Sequence, residues 1–247
     1  MINQNENDWY VDWFDSPYYD LLYRNRNEEE AKLFMQKLVD FLQPPPKTKI
    51  LDIPCGKGRH SIFLNSLGFA VHGMDLSYKN IHAANSFTNE SLQFSKHDIR
   101  NNISFNQFDW VINLFTSLGY FEDENDNRKA ISNLLGSLKK GGYLVIDFFN
   151  EFKVRKDLPQ FSSDETGGIK FNIRKKAEGK FALKEIEVTD GEIKYHFTEK
   201  VQLLSLSDFM RFVKPEEAEL RYCFGNYLLC PFEPKRSERL IMIWQKK

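Results

Sequence analysis

Apolar and polar residues change rhythm along this chain, and each change marks a different kind of structure. From 28 to 42, EEEAKLFMQKLVDFL sets Leu33, Phe34, Leu38, Phe41 and Leu42 three and four residues apart, the spacing of one face of an amphipathic helix. Glutamates at its start suit the helix dipole, and Pro44-Pro45-Pro46 stops it. From 48 to 150, short apolar runs alternate with helical repeats. Ile50, Leu51 and Ile53 predict a buried strand, and Ile62, Phe63, Leu64 and Leu67 a helix ended by Gly68. Phe69–Met74 predicts a second strand that closes on Asp75. LSYKNIHAANSF follows as a helix capped near Ser77, and SLQFSKHDI as a third strand ending near Ser95. Trp110–Leu114 is the fourth strand, residues 124–138 a helix with Ala130, Ile131, Leu134, Leu135 and Leu138 on one face, and Tyr143–Phe149 the fifth strand. Lys139-Lys140-Gly141-Gly142 between them reads as a basic helix end with a glycine stop.

Beyond about residue 151 the helical period disappears. Residues 169–203 alternate apolar and charged positions, with Glu178-Gly179 and Asp190-Gly191 at hairpin turns. Three antiparallel strands are expected near 169–176, 181–189 and 193–203, a segment too long for a loop and too short for an independent domain. A helix over Leu206–Val213, a turn at Lys214-Pro215-Glu216-Glu217 and two strands in RYCFGNY and SERLIMIWQKK complete the chain. Residues 1–26 show no clean period but are dense in rings: Trp9, Tyr10, Trp13, Phe14, Tyr18, Tyr19 and Tyr23. Ser16-Pro17 is a helix start there, serine as cap and proline in the first turn.

The chemistry concentrates in KILDIPCGKGRH, Lys49–His60. Pro54, Gly56 and Gly58 turn the first strand into a tight loop that leads into a helix, and glycine lets a ligand approach backbone where a Cβ would clash. Asp75, at the tip of the next strand, is placed to accept hydrogen bonds from two ribose hydroxyls. A dinucleotide fits poorly. The G-x-G-x-x-G fingerprint has Ser61 at its third glycine, and Asp52 would lie close to a pyrophosphate. An acid at 52 suits a nucleoside cofactor carrying a cationic group.

ILDIPCGKGRH followed by VHGMDLS resembles motif I and the acidic motif after it in class I S-adenosylmethionine-dependent methyltransferases, whose pattern [D/E]-x-x-x-G-x-G is met by Asp52, Gly56 and Gly58. FDWVINLFTSLGYF is similar to the family's fourth strand and cofactor-lining loop, and LKKGGYLVIDFFN to its fifth strand. The resemblance covers residues 48–150. It implies an α/β fold, a doubly wound Rossmann-like seven-stranded sheet in the order 3-2-1-4-5-7-6 with a small antiparallel β insertion. The divisions expected are an N-terminal helical cap over 1–47, a cofactor-binding core over 48–150, the insertion over 151–204 as substrate lid or dimer contact, and completion of the core sheet over 205–247. It implies S-adenosylmethionine as cofactor, with contacts at Tyr18, Tyr23, Asp52, Pro54, Gly56, Gly58, Arg59, Asp75, Leu76, Asp98, Ile99, Leu114 and Phe115. Asp98 and the backbone of Ile99 correspond to the adenine side of the site, and Tyr18 and Tyr23 to a cap segment over the cofactor. No metal is expected. His60, His97 and Tyr120 are the candidates for a general base, which a neutral amine or thiol acceptor would not require. Tyr18, Tyr19, Tyr23, Phe115 and Tyr120 are expected to wall an acceptor pocket.

Composition narrows the acceptor. A formal net charge of −1 over 247 residues gives no global basic footprint for nucleic acid, and NLFT lacks the Asn/Asp-Pro-Pro-Tyr motif that the family uses on amide or adenine nitrogens. The 22 Phe, 10 Tyr and 4 Trp leave rings to spare for an aromatic-walled pocket around a small molecule. No apolar run reaches membrane-spanning length, and MINQNENDWYVDWF lacks the basic and apolar regions of a signal peptide. Cys55, Cys223 and Cys230, odd in number and far apart, suit a reduced cytoplasm. The expectation is therefore cytoplasmic methyl transfer to an N or O nucleophile of a small molecule, without nucleic-acid or membrane partners, with a homodimer through the insertion as a further reading. A nucleic-acid or protein methyltransferase, an NAD-binding oxidoreductase and a non-catalytic cofactor-binding protein stand as alternatives.

Overall fold

A computed structural model describes residues 2–3, 9–24, 28–104 and 106–247. The part of the N-terminal reading that falls on residues 4–8 lies outside the described residues. The chain opens with β1 (Ile2–Asn3), α1 (Trp9–Phe14), α2 (Pro17–Leu22) and α3 (Glu28–Leu42). The alternating region gives β2 (Lys49–Asp52), α4 (Arg59–Ser66), β3 (Ala70–Asp75), α5 (Tyr78–Ala84), β4 (Leu92–Lys96), β5 (Phe108–Asn113), α6 (Glu124–Ser137) and β6 (Leu138–Phe149). After α7 (Glu151–Asp157) come β7 (Gln160–Thr166), β8 (Ile169–Glu178), β9 (Phe181–Asp190) and β10 (Ile193–Gln202). The chain closes with α8 (Leu206–Phe212), β11 (Ala218–Phe224) and β12 (Arg239–Lys246).

Seven strands form one sheet in the order β11-β12-β6-β5-β2-β3-β4. Within it β4, β3, β2, β5 and β6 are parallel neighbours, and β12 pairs antiparallel with both β6 and β11. Counted in order along the sheet, this is the expected 3-2-1-4-5-7-6 arrangement. A parallel sheet must be covered on both faces. One face packs on α3, α4 and α5 through Phe34, Met35, Leu38, Leu64 and Ile81. The other packs on α6 and α8 through Ile131, Leu134, Leu135, Phe209 and Phe212.

Local sequence sets the ends of these helices. Ser16 caps α2, its Oγ accepting from the Tyr18 N–H at 3.2 Å, and Pro17 takes the first helical position. Asp123 caps α6, and Ser205 with Asp208 forms a reciprocal capping box on α8. In α3 the buried stripe is Ala31, Phe34, Met35 and Leu38, while Leu33 and Phe41 are exposed. The helix is as expected, but its face is rotated from the one predicted. A run of five large residues gives no sign of which side a small alanine lets approach the sheet. The expected glycine stop at 139–142 is also corrected. Those residues belong to β6, where Gly142 lies so close to the Asp109 carbonyl that a Cβ would be 2.7 Å from it.

The second sheet has five strands, in the order β1-β10-β9-β8-β7. The three expected strands are present as β8, β9 and β10, and two more extend the sheet. β7, QFSSDET, is mostly exposed and lacks an apolar alternation. Gly167 and Gly168, both at positive φ, turn it back onto β8. β1 adds in parallel at the other edge. The inner face of this sheet carries Phe171, Ile173, Ile186 and Val188 into the same apolar cluster as Trp9, Tyr10, Trp13 and Tyr18. α1 and α2 thus lie between the two sheets, which places the N-terminal rings at the carboxyl edge of the parallel strands.

Candidate functional site

β2 ends at Asp52, and the next six residues turn back across the carboxyl end of β3. The Cys55 N–H donates to the Met74 carbonyl at 2.8 Å, and the Gly56 N–H to Asp75 Oδ2 at 2.8 Å. Asn113 Nδ2 donates to the Ile53 carbonyl at 2.7 Å from the neighbouring β5. The loop is therefore held on both sides, by the Met74 and Ile112 carbonyls and by the Asp75 and Asn113 side chains. Two glycines are required by geometry. Gly56 sits at φ +57°, and a Cβ there would project into open space, so the residue leaves room rather than relieving a contact. Gly58, at φ +86°, caps α4, and a Cβ on it would lie 2.7 Å from the Phe94 ring. The Ile53–Pro54 peptide is cis.

Asp75 is buried (8 % exposed) and accepts from two backbone donors, Gly56 N on Oδ2 and Ser77 N on Oδ1, both at 2.8 Å. A carboxylate has about four acceptor sites, and the Asn80 side chain also reaches it. Burial pushes its carboxyl above the usual range, and the two N–H groups work in the opposite direction. Asp52 is more deeply buried (1 % exposed) beneath the loop. Its Oδ2 accepts from Ser61 Oγ at 2.7 Å, and its Oδ1 has no hydrogen-bond partner among the described residues. Burial raises it to about 7, with the Ser61 hydrogen bond opposing and the nearby Asp75 charge adding to the rise. Ser61, which breaks the dinucleotide fingerprint, is thus the residue that holds Asp52.

A cavity of about 450 Å³ opens above this loop. Of the residues expected at the site, Tyr23, Pro54, Gly56, Arg59, Asp75, Leu76, Asp98, Ile99, Leu114 and Phe115 line it, together with His60, His97 and Tyr120. Asp52 and Gly58 lie behind its wall. Tyr18 does not reach it. Its hydroxyl donates to Asp190 Oδ2 at 2.9 Å and its ring packs 5.0 Å from Tyr195, so α2 turns this residue onto the second sheet. Tyr19, one position on, faces the cavity instead. Asp98 is forked by Arg100, Nε and Nη2 donating to its two oxygens at 3.1 and 2.6 Å. Desolvation would raise its carboxyl, but the Arg100 bonds prevail and hold it below the usual range. The His60 ring stacks 5.2 Å from Phe115 at an interplanar angle of 14°, as a wall of the site.

A second cavity, about 250 Å³, adjoins the first and shares Phe14, Tyr23, Phe115 and Tyr120 with it. Phe149, Leu183 and Val201 add apolar walls, and Lys175, Lys184 and Glu199 of the second sheet supply charge. The residues between the two cavities are strained. Phe115 and Thr116 both have φ near +58°, a conformation that non-glycine residues rarely adopt. Asp147, wholly buried on β6, holds them. Its Oδ2 accepts from Phe115 N at 2.9 Å and from the Tyr227 hydroxyl at 3.2 Å, and its Oδ1 from Arg239 Nε at 2.8 Å. Arg239 Nη2 reaches Thr116 Oγ1 at 3.1 Å. Nothing in the sequence reading singled out Asp147, although one acid inside the apolar run YLVIDFF is a signal that it has a partner.

From the N-terminal side, Asp20 of α2 pairs with Lys57 of the glycine loop at 2.7 Å and with Lys79 of α5 at 2.9 Å, while Asp15 accepts from the Ser77 hydroxyl. These bonds clasp the helices over the larger cavity. Trp13 Nε1 and the Tyr23 hydroxyl donate to Glu199 Oε1 at 2.7 and 2.6 Å, tying the same helices to the second sheet.

Residues 50–142 match the family model described as a methyltransferase domain. That segment is a methyltransferase domain. YqeM of Bacillus subtilis (strain 168), whose own name assigns it to the methyltransferases provisionally, is 35% identical over 118 residues, 47% of this chain and 48% of that protein. The chain spans about half the length of the curated relatives it matches. Among solved structures, an S-adenosylmethionine-dependent methyltransferase from Clostridium acetobutylicum ATCC 824 superposes with a TM-score of 0.77 at 19% identity, covering 93% of this chain and 96% of that one. CalS10, an amino pentose methyltransferase from Micromonospora echinaspora, does so with a TM-score of 0.69 at 18% identity, covering 94% and 98%.

The family's cofactor fits the residues present. In this methyltransferase fold the open space at Gly56 and the Asp75 carboxylate beside it suit a ribose. Asp52, behind the cavity wall, acts on the site by charge and not by contact, and a carboxylate there favours a cationic group over a pyrophosphate. Among the described residues no cluster of three or more His, Cys, Asp and Glu is arranged to hold a metal ion, and no helix is long and apolar enough to cross a membrane.

Proposed function

We propose that the protein methylates a nitrogen or oxygen of a small molecule, with S-adenosylmethionine held over the glycine loop and the acceptor in the adjoining cavity. The single observation that carries this reading is the pair of cavities sharing Phe14, Tyr23, Phe115 and Tyr120. The smaller one lies between the N-terminal helices and the second sheet, a space of small-molecule size. CalS10, with the same fold, acts on an amino pentose.

Bound S-adenosylmethionine supplies a methyl group already activated by its sulfonium. The chain's own task is positioning and exclusion of water. Asp75 orients the ribose, Asp98 and Ile99 flank the base, and Leu114 and Phe115 close the side. The rings at 14, 23, 115 and 120 dry the junction and present π-faces to positive charge there. Tyr120 lines both cavities, so its hydroxyl is the protein group best placed to orient the acceptor. His60, packed against Phe115, serves as a wall, and a neutral amine acceptor needs no protein base.

Methyl-labelled S-adenosylmethionine, incubated with the protein and a cell extract, tests this. Label is expected in the small-molecule fraction. Label confined to protein or nucleic acid, or no transfer at all, would overturn the acceptor class.

A further inference from the structure

The charges of the smaller cavity lie in one row across the second sheet. Lys175 of β8 is directly opposite Lys184 of β9, which is directly opposite Glu199 of β10. All three line the cavity, and no other charged residue among the described ones does. Two lysines facing each other across a ladder repel. Only one of them is answered. The Lys184 ammonium donates to the Tyr23 hydroxyl, sits 4.4 Å from the centre of the Tyr23 ring and lies 3.6 Å from Glu199 Oε1. That same Glu199 oxygen also accepts from Trp13 and Tyr23. Lys184 and Glu199 are mostly covered, with side chains 15 and 17% exposed. Lys175, half-buried beside them, makes no ion pair or side-chain hydrogen bond with the described residues. The cavity therefore holds two cations against one anion, between apolar walls.

We infer that Lys175 is a specificity residue that binds the carboxylate of the methyl acceptor, so that the substrate is a small organic acid whose apolar body lies against Phe149, Leu183 and Val201. This rests on the methyl-transfer reading above and adds the acceptor's charge to it. A carboxylate there would settle the repulsion across the 175–184 pair, and the ammonium of Lys175 would give it a charge-assisted hydrogen bond. The cavity volume of about 250 Å³ restricts the acid to something smaller than a drug-sized ligand.

Calorimetry on the full chain saturated with S-adenosylhomocysteine tests this with matched probes: benzoate, hexanoate and 3-phenylpropanoate, each against its primary amide. In at least one pair the carboxylate should bind about tenfold or more tightly than the amide, equivalent to ~1.4 kcal/mol. Lys175→Met should erase that preference and Lys175→Arg should keep it, with S-adenosylhomocysteine affinity unchanged in both. Amides that bind as well as the acids, an absence of binding by any probe, or a preference that survives in Lys175→Met overturns the inference while leaving the cofactor reading in place. A protein that binds no S-adenosylhomocysteine overturns both.

Discussion

The floor and the roof of this site are built by different means. The floor, residues 52–58 with Asp75, is made largely of backbone, with the Asp75, Asn113 and Ser61 side chains bracing it. Its loop is held by N–H and carbonyl groups of adjacent parallel strands, and its two acids are fixed by bonds to Gly56, Ser77 and Ser61. The roof is made of side chains from two distant parts of the chain, the N-terminal helices and the β9–β10 hairpin. Trp13, Tyr23, Lys184 and Glu199 meet across more than 180 positions of sequence. A backbone floor can keep one ligand through wide changes in sequence, because its donors do not depend on residue type. A side-chain roof changes with single substitutions. The floor accordingly suits a cofactor common to a family, and the roof an acceptor particular to one member.

The strongest test of this contrast concerns the wall between the two. Asp147 and Arg239 form a mostly buried pair that holds the strained turn at Phe115 and Thr116. Removing one partner leaves a buried charge unanswered. Asp147→Ala is expected to lower unfolding free energy by about 3–5 kcal/mol in a urea titration. A loss below ~1 kcal/mol would mean that the wall needs no such support.

The floor carries a pH signature. Asp52 ionises at 3.8 in a solvated chain and at about 7 when folded. Between those values the native state holds the extra proton, so stability without ligand should fall as pH rises from about 4 to about 7 and level off above. At ~1.4 kcal/mol per pH unit the fall is roughly 4 kcal/mol, with Asp75, also raised by burial, adding to it. Asp52→Asn should flatten most of this slope. An unchanged slope would assign it to other groups.

How much could be read in advance follows the same division. The floor lies within one stretch of about twenty-five residues, and glycine spacing, strand ends and the acid at 75 are all local signals. They placed the loop, and the family they resemble implied the sheet order and most of the cavity lining. The roof depends on which way a helix is turned, and periodicity does not fix that in WFDSPYYDLLY. Tyr18 was expected over the cofactor because ring content alone cannot distinguish it from Tyr19, and the structure sends it to Asp190. β7 was missed because a polar edge strand has no buried face to give it a period. The row of Lys175, Lys184 and Glu199 exists only through register, which the hairpin turns determine and single strands do not show.

Two tyrosine hydroxyls give the smallest expected effects and separate floor from roof. Tyr18→Phe removes the bond to Asp190 and should cost about 0.5–1.5 kcal/mol of stability without changing either ligand affinity. Tyr23→Phe should cost a similar amount, because Glu199 and Lys184 lose a shared partner, yet leave cofactor affinity within about twofold. Denaturation and calorimetry on the same samples would check both. A large loss of cofactor affinity in Tyr23→Phe would make the tyrosine part of the floor.

The central claim is that a backbone loop with two acids selects a cationic nucleoside without phosphate, and calorimetry tests it most directly. The protein should bind S-adenosylmethionine and S-adenosylhomocysteine and reject NAD. Asp75→Ala should weaken S-adenosylhomocysteine by about 1.5–3 kcal/mol, the loss of a charged acceptor for two hydroxyls, which is roughly 10- to 150-fold in Kd. Tight binding of NAD, or S-adenosylhomocysteine affinity indifferent to Asp75→Ala, would contradict it.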